Sequence, residues 1–266
     1  MKKRKKLLLI LIPLCVLALC AGALGAYFAI SGAGGKYPAI DRTDMMQAEV
    51  YKDAGGAVLP YRLYVPGNYS AAEVKYPLVL YLHGSGERGK DNRAQTKKNS
   101  VMQTLLAPES IAAYPCIVLA PQCPKDRGWD VEVLMGLLEH AEAAWPVDPA
   151  RVYITGLSMG GYATWHLLAA YPDYFAAAVP ICGGGDPETA ALFKDVPIWV
   201  FHGAKDDVVP PEASREMVQA LEAAGAADLR YTEYPEEKHG SWEPAYREPA
   251  LFPWMFAQAK GQVDDE

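Results

Sequence analysis

Ser158 and the glycines around it have the clearest chemical potential in this sequence. The segment Gly156-Leu157-Ser158-Met159-Gly160 follows the apolar run of residues 151–155 and leads into a helical pattern. This is the G-x-S-x-G form of a nucleophile elbow, in which a serine on a tight strand-to-helix turn presents its hydroxyl to a substrate. Glycine two residues before and after the serine lets the strand and the helix approach each other. The spacing therefore predicts a nucleophilic serine.

The order of residues along the chain restricts the partners of Ser158. Hydrolases with this elbow carry the acid and then the histidine after the serine, at the carboxyl ends of strands. Of the five histidines, His166, His202 and His239 follow Ser158, and His166 lies within the predicted helix of residues 162–171 rather than after a strand. The acids directly after a predicted strand are Asp206 and Asp207, which leaves His239 as the base. The spacing alone does not choose between the two carboxylates.

Acyl transfer also requires N–H donors for the developing oxyanion. One predicted donor is the backbone amide of Met159, the residue after the nucleophile. The second should come from the loop after the apolar run of residues 76–82, where Gly84 and Gly86 let the backbone turn its amides inward, so we expect Ser85. This chemistry requires no metal and no organic cofactor.

Other residues near the predicted strand ends are candidates for substrate binding. Trp129 and Trp242 could line an aromatic or sugar subsite. Arg88 could bind a carboxylate, although a salt bridge within its loop is the simpler role. His83 and His202 each end a predicted strand next to a glycine, and we expect them to hold loops in place.

Strand and helix patterns alternate along most of the chain. The expected strands are residues 47–51, 59–65, 76–82, 116–120, 151–155, 175–181, 196–201 and 229–234. The expected helices are residues 130–145, 162–171, 211–224 and 245–260, the last interrupted near two prolines. This alternation predicts one α/β domain over residues 46–262, with a mostly parallel doubly wound sheet and an antiparallel N-terminal hairpin. Residues 183–194 are too few for a large cap domain, so we expect an open site.

The first 30 residues have the pattern of an export signal. All five of residues 2–6 are Lys or Arg, and residues 7–30 are apolar and uncharged. The cations orient the N-terminus towards the cytoplasm, so we expect residues 31–45 to be a linker to an extracytoplasmic domain. Residues 1–30 are long enough for a membrane anchor, but Ala21-Gly22-Ala23 would also suit a cleaved signal peptide.

Charge and cysteine content exclude some partners. The cationic start holds five of the 25 Lys and Arg residues, leaving 20 against 32 Asp and Glu, so the remaining chain is acidic. An acidic body disfavours nucleic-acid binding, and membrane contact is expected through the N-terminal segment only. Beyond that segment, Cys116, Cys123 and Cys182 allow at most one internal disulfide and show no zinc-ligand spacing. We expect them to be small buried residues.

Four strings of sequence resemble a known group of proteins. They are PLVLYLHGSGERGKDN (77–92), APQCP (120–124), VDPARVYITGLSMGGY (147–162) and HGAKD (202–206). They look like the α/β-hydrolase group of bacterial esterases and "predicted peptidases". That group is related to feruloyl and acetylxylan esterases, polyhydroxybutyrate-depolymerase-like esterases and dienelactone hydrolases. The resemblance extends over roughly residues 45–260.

The resemblance implies an α/β-hydrolase fold and hydrolysis of carboxylic esters through an acyl-enzyme. It also implies that Asp206, rather than Asp207, is the acid. Dienelactone hydrolases proper use a cysteine nucleophile, and Ser158 at that position argues against their activity. The implied substrate is a small-molecule or glycan ester, either short-chain or an acylated carbohydrate. The alternatives are a serine peptidase of the same fold and an exported binding protein without turnover.

Overall fold

Eight strands form a single sheet in the computed structural model, which describes residues 40–67, 74–97 and 99–261. Their order across the sheet is β1-β2-β4-β3-β5-β6-β7-β8. The strands are β1 (Gln47–Lys52), β2 (Val58–Tyr64), β3 (Tyr76–Leu82), β4 (Ile117–Pro121), β5 (Val147–Leu157), β6 (Ala177–Ile181), β7 (Ile198–Gly203) and β8 (Leu229–Tyr234).

The sheet is antiparallel at its N-terminal edge and parallel elsewhere, as the sequence predicts. β1 pairs with β2 and β2 with β4 in antiparallel register, and every pairing from β4 to β8 is parallel. In the hairpin turn, the Asp53 carboxylate accepts the Ala57 amide at 2.6 Å, and Gly56 has a φ of 87°. Glycine adopts this left-handed conformation at little energetic cost, because it has no Cβ.

Helices cover both faces of this sheet. They are α1 (Ser100–Leu105), α2 (Pro108–Ala113), α3 (Val131–Ala144), α4 (Met159–Ala170), α5 (Glu212–Ala224), α6 (Trp242–Ala245) and α7 (Leu251–Ala257), with 3₁₀ turns at Thr43–Met45, Ser85–Glu87 and Pro187–Leu192. The short α1 and α2 were not predicted, because six residues show too little periodicity.

The C-terminal helical region differs from the single interrupted helix expected over residues 245–260. It consists of α6 and α7, with Pro249 in the connection between them. Pro253 lies within the first turn of α7, where a helix has no acceptor for its amides and proline removes no hydrogen bond. The helix therefore starts two residues before the proline rather than after it.

The core lies on both faces of the central strands. Along β3, Leu78, Leu80 and Leu82 face one buried cluster, and Val79 and Tyr81 face the other. A strand covered on both faces reads as a continuous apolar run, which is why β3 was evident from the sequence.

The cysteines and one tryptophan belong to this interior. Cys116, Cys123 and Cys182 are free buried thiols, and Trp165 is almost completely buried in the cluster beneath α4. Within the described residues, no helix is long and apolar enough to cross a membrane. The export segment predicted at residues 1–30 lies outside the described ranges, as does most of the predicted linker.

Gly160, in the first turn of α4, makes a testable contribution to stability. A Cβ there would lie closer than 3.0 Å to the backbone oxygens of Leu82 and His83. We expect Gly160→Ala to lower the free energy of unfolding by about 2–4 kcal/mol, because neither backbone segment can move away easily. Thermal denaturation measures this effect. Gly128→Ala is the control, since its Cβ would meet nothing within 4 Å; equal losses in both variants would contradict the argument.

Candidate active site

Ser158 lies on a strained turn between β5 and α4. Its φ is 52° and its ψ is −117°, a left-handed conformation that L-residues rarely adopt outside functional sites. The turn is held by the Ser158 amide, which donates to the carbonyl oxygen of Ile181 at 2.9 Å. A Cβ at Gly156 would lie closer than 3.0 Å to the backbone of Gly160. The two glycines of the motif are therefore required by the close approach of strand and helix.

The structure brings His239 and Asp206 to this serine. His239, on the loop between β8 and α6, places Nε2 3.0 Å from the Ser158 Oγ and Nδ1 2.7 Å from Oδ2 of Asp206. An ionised carboxylate only accepts hydrogen bonds, so Nδ1 carries the proton and Nε2 is left to accept from the serine hydroxyl. The three side chains form one continuous hydrogen-bonded row.

Asp206 follows β7 and is almost completely buried. Its Oδ1 accepts the backbone amides of Val208 and Val209, each at 2.9 Å. Burial alone would raise the pKa of Asp206, but the hydrogen bonds from His239 and from these amides hold that pKa below its ordinary value. Asp207 instead points outward to Lys238, with 3.2 Å between the charged atoms. Only the first of the two adjacent carboxylates contacts His239.

The two residues predicted to provide oxyanion donors begin neighbouring helical turns. Met159 is the first residue of α4, and Ser85 is the first of a 3₁₀ turn after β3. Amides at these positions have no acceptor within their own helix. A Cβ at Gly84 would lie 2.9 Å from Leu157 Cδ1, so glycine lets this loop pack against the elbow. Gly86 has no such neighbour within 4 Å, so this glycine is not needed for a close contact.

Arg88 and Trp129, predicted as substrate-binding residues, lie outside the cleft at Ser158 and hold its loop. Arg88 Nε donates to the carbonyl oxygen of Ser85 at 3.1 Å. Trp129 Nε1 donates to the carbonyl oxygen of His83 at 3.2 Å. Burial lowers the pKa of His83 to about 4, and the neutral ring accepts the Cys123 amide at 2.9 Å. His83 therefore ties two loops together, as the sequence suggests.

A cleft of about 250 Å³ opens beside Ser158. Trp242, predicted as a substrate-binding residue, lines it and meets the His239 ring edge-on at 5.3 Å. The other polar residues that line it are Ser85, Glu87, Lys97, Asn99, Ser100 and Glu243. Apart from Ser85, none of these six was identified from the sequence. Glu87 stands in the GERG string and could have been found there, whereas Asn99 and Glu243 reach the cleft only through the packing of α1 and α6.

A larger groove, of about 570 Å³, lies at the opposite end of the sheet. It is formed partly by Ala176, Pro197 and Asp228, which precede β6, β7 and β8. None of the described residues that line it is a serine, cysteine or histidine. Because ligands of such sheets bind at the carboxyl ends of the strands, the smaller cleft is the candidate active site.

Cys182 is the nearest potential metal ligand to the row. Its Sγ lies within 4.8 Å of ligand atoms of Asp206 and His239. Burial raises the pKa of its thiol to about 12, and metals bind the thiolate. Asp206 and His239 are also already hydrogen-bonded to each other. This arrangement favours hydrogen-bonded acid–base chemistry over metal binding.

The chain is similar to a protein family and to a solved esterase structure. Residues 126–250, which contain Ser158, Asp206 and His239, match the model of the "Dienelactone hydrolase family". A solved structure described as a thermostable esterase is 39% identical, with a TM-score of 0.77, and the match covers 82% of this chain and 64% of that one.

Two curated relatives are enzymes that act on esters or polyesters by name. The bifunctional acetylxylan esterase/xylanase XynS20E of Neocallimastix patriciarum is 29% identical, over 60% of this chain and 23% of that protein. Poly(3-hydroxyalkanoate) depolymerase C of Paucimonas lemoignei is 31% identical, over 31% of this chain and 27% of that protein. The chain thus spans about a quarter of the length of these relatives. These matches confirm the resemblance and the α/β-hydrolase fold.

Proposed function

We propose that this protein is a serine esterase that hydrolyses carboxylic esters through an acyl-enzyme on Ser158. The observation that carries this proposal is the row Ser158–His239–Asp206, with contacts of 3.0 and 2.7 Å, at the edge of an open cleft. A nucleophile with a base in reach, and an acid that orients the base, is the arrangement that activates a serine hydroxyl.

In the first half of the reaction, the Ser158 Oγ attacks the acyl carbon while its proton moves to Nε2 of His239. Asp206 accepts the Nδ1–H and stabilises the imidazolium that forms. The carbonyl oxygen becomes an oxyanion, for which the amides of Met159 and Ser85 are the donors. Two such donors typically contribute a few kcal/mol of transition-state stabilisation.

In the second half, the bond between the acyl carbon and the leaving oxygen breaks. His239 gives its proton from Nε2 to the leaving alcohol, and the acyl group stays on Ser158. Water then enters, loses a proton to the same nitrogen and attacks the acyl carbon. The serine oxygen leaves and takes that proton back. The only co-reactant is water.

The lining of the cleft supports an acylated carbohydrate or a short-chain ester as the substrate. Trp242 provides an aromatic surface, and Glu87, Asn99 and Glu243 provide polar groups. Together, such groups can contact the apolar face of a sugar ring and its hydroxyls. The name of the acetylxylan esterase relative agrees with this class. If residues 1–30 direct export, such a substrate would be met outside the cytoplasm, by an anchored or a secreted enzyme.

A fluorophosphonate probe followed by a substrate panel tests the proposal. We expect the intact protein to be labelled at Ser158 and to cleave p-nitrophenyl acetate, an acetylated xylo-oligosaccharide or a feruloyl ester faster than aminoacyl p-nitroanilides. Faster cleavage of the anilides would indicate a peptidase of the same fold. A folded protein that is neither labelled nor active would be a binding protein without turnover.

Trp242→Ala tests the assignment of the cleft wall. Removing the indole next to His239 takes away contact area for the substrate, so we expect KM to rise about five- to twentyfold and kcat to change less. Steady-state kinetics with the best ester of the panel measures both constants. Trp145→Ala is the matched control, because Trp145 directly follows α3 and does not line this cleft. A KM for Trp242→Ala equal to that of the wild type would show that the substrate binds elsewhere.

A further inference from the structure

A second histidine contacts the acid of the proposed row. His202 is the penultimate residue of β7 and is completely buried. Its Nε2 lies 3.2 Å from Oδ2 of Asp206. This is the same oxygen that accepts Nδ1–H of His239 at 2.7 Å. The carboxylate oxygen therefore lies between two imidazole rings.

Both oxygens of Asp206 are in contact with donor groups in this arrangement. Oδ2 faces the two imidazoles, and Oδ1 accepts the backbone amides of Val208 and Val209. An ionised carboxylate offers about four acceptor sites. The two amides and His239 occupy three of them, and Nε2 of His202, which also lies 3.0 Å from the carbonyl oxygen of Val209, is within reach of the fourth. The Asp206 side chain has no exposed surface, which means that water cannot replace a missing donor.

The contacts of His202 determine which of its nitrogens carries the proton. Nε2 faces only acceptors, namely Asp206 and the carbonyl oxygen of Val209 at 3.0 Å. Nδ1 lies 2.7 Å from the hydroxyl of Ser214 on α5, which also lies 2.9 Å from the carbonyl oxygen of Gly183 and has one proton to donate to either acceptor. Burial lowers the pKa of His202, so the ring is neutral, with its proton on Nε2. His202 is thus a fixed donor towards Asp206.

We infer that His202 is a positioning residue for the reaction proposed above, on which this inference rests. Ser214 and Val209 hold the ring on both sides, so its Nε2–H keeps Oδ2 of Asp206 where that oxygen accepts from His239. The same N–H takes up part of the carboxylate charge. The charge left to stabilise the imidazolium of His239 is therefore smaller than that of a carboxylate without this donor.

Three other titratable side chains lie close to this pair: Cys182, Tyr162 and Glu233. Burial raises the pKa of the first two, so both stay protonated and neutral around pH 7. Glu233 is held by Arg215 in an ion pair of 2.6 Å. None of the three is hydrogen-bonded to Oδ2, so removing the His202 donor is the direct way to change the charge on that oxygen.

The test compares His202→Leu with His202→Gln in the full-length chain. The glutamine amide nitrogen can replace Nε2 as a donor, whereas leucine cannot. For p-nitrophenyl acetate, we expect His202→Leu to lower kcat/KM about tenfold on the plateau. We also expect it to move the acidic limb of the pH profile upward by about half a pH unit or more, because the imidazolium is then better stabilised. His202→Gln should restore most of the rate and the wild-type limb.

A core variant separates positioning from folding. Val200→Ala, on the same strand but facing the core, should lower the melting temperature without moving the limb. If His202→Leu does not fold, Ser214→Ala keeps the imidazole but removes the partner of Nδ1, and we expect a smaller shift in the same direction. If the acidic limb of the Ser214→Ala pH profile then coincides with that of the wild type, the inference is overturned.

Two results with folded protein would also overturn the inference. In the first, the acidic limb of the His202→Leu pH profile coincides with that of the wild type. In the second, the His202→Gln pH profile matches the His202→Leu profile. Failure of the proposed function looks different. In that case the wild type itself neither reacts with the fluorophosphonate probe nor hydrolyses the ester, and no variant is needed to show it.

Discussion

Ser158→Ala is expected to lose ester hydrolysis by roughly 10⁴- to 10⁶-fold in kcat/KM, since the Ser158 hydroxyl is the nucleophile hydrogen-bonded to Nε2 of His239. Labelling by a fluorophosphonate probe should disappear with it. The fold should persist, because the loop contacts of the elbow are made by backbone atoms, as in the hydrogen bond from the residue 158 amide to Ile181. The measurements are initial rates on the best ester of the panel, probe labelling and circular dichroism.

A serine outside the site provides the control for this variant. Ser110, on α2, does not line the cleft, so Ser110→Ala should keep the wild-type rate and labelling. A Ser158→Ala protein that still hydrolyses the ester at the wild-type rate would rule out the acyl-enzyme. Loss of activity together with loss of the fold would instead point to the strained turn, with its φ of 52°, as the cause.

Asp206→Asn and Asp207→Asn form a matched pair with very different expected effects. In Asp206→Asn, the amide cannot stabilise an imidazolium, and it can present N–H groups where His239 needs an acceptor. We expect kcat to fall about 10³- to 10⁴-fold. Asp207→Asn should change kcat by less than about twofold, because its ion pair with Lys238 is exposed.

Rates of both variants at the same pH distinguish the two carboxylates. The comparison also controls for net charge, since each variant removes one negative charge from the same loop. Equal losses would mean that the loop responds to total charge and not to the contact with His239. A larger loss in Asp207→Asn would show that the acid of the row had been assigned to the wrong residue.

Local features of the sequence were enough to predict the elbow and the central sheet. At the glycines flanking Ser158, neighbouring backbone lies too close for any side chain. The motif therefore indicates the geometry of the turn directly. β3 was evident because a strand buried on both faces is apolar throughout. By contrast, α1 and α2 are six residues each, too short for a helical period to stand out.

The residues of the candidate site could be predicted only in part from the sequence. Chain order reduced the histidines that could serve as base to His239, but it did not separate Asp206 from Asp207. Neighbours along the chain share composition and spacing, and only the path of the loop after β7 decides which carboxylate turns inward. Two predicted substrate-binding residues, Arg88 and Trp129, instead bind backbone carbonyls of the loop beside the cleft.

The sequence by itself determined the class of fold and predicted the nucleophile and the order of its partners, because these depend on residue type, spacing and hydrophobic period. The tertiary structure decided what surrounds them. Contacts between His239 and Ser158, or between His202 and Asp206, join residues from separate loops and strands. Such contacts depend on how helices and loops pack, which leaves no local period in a sequence. The same packing assembles the cleft beside Ser158.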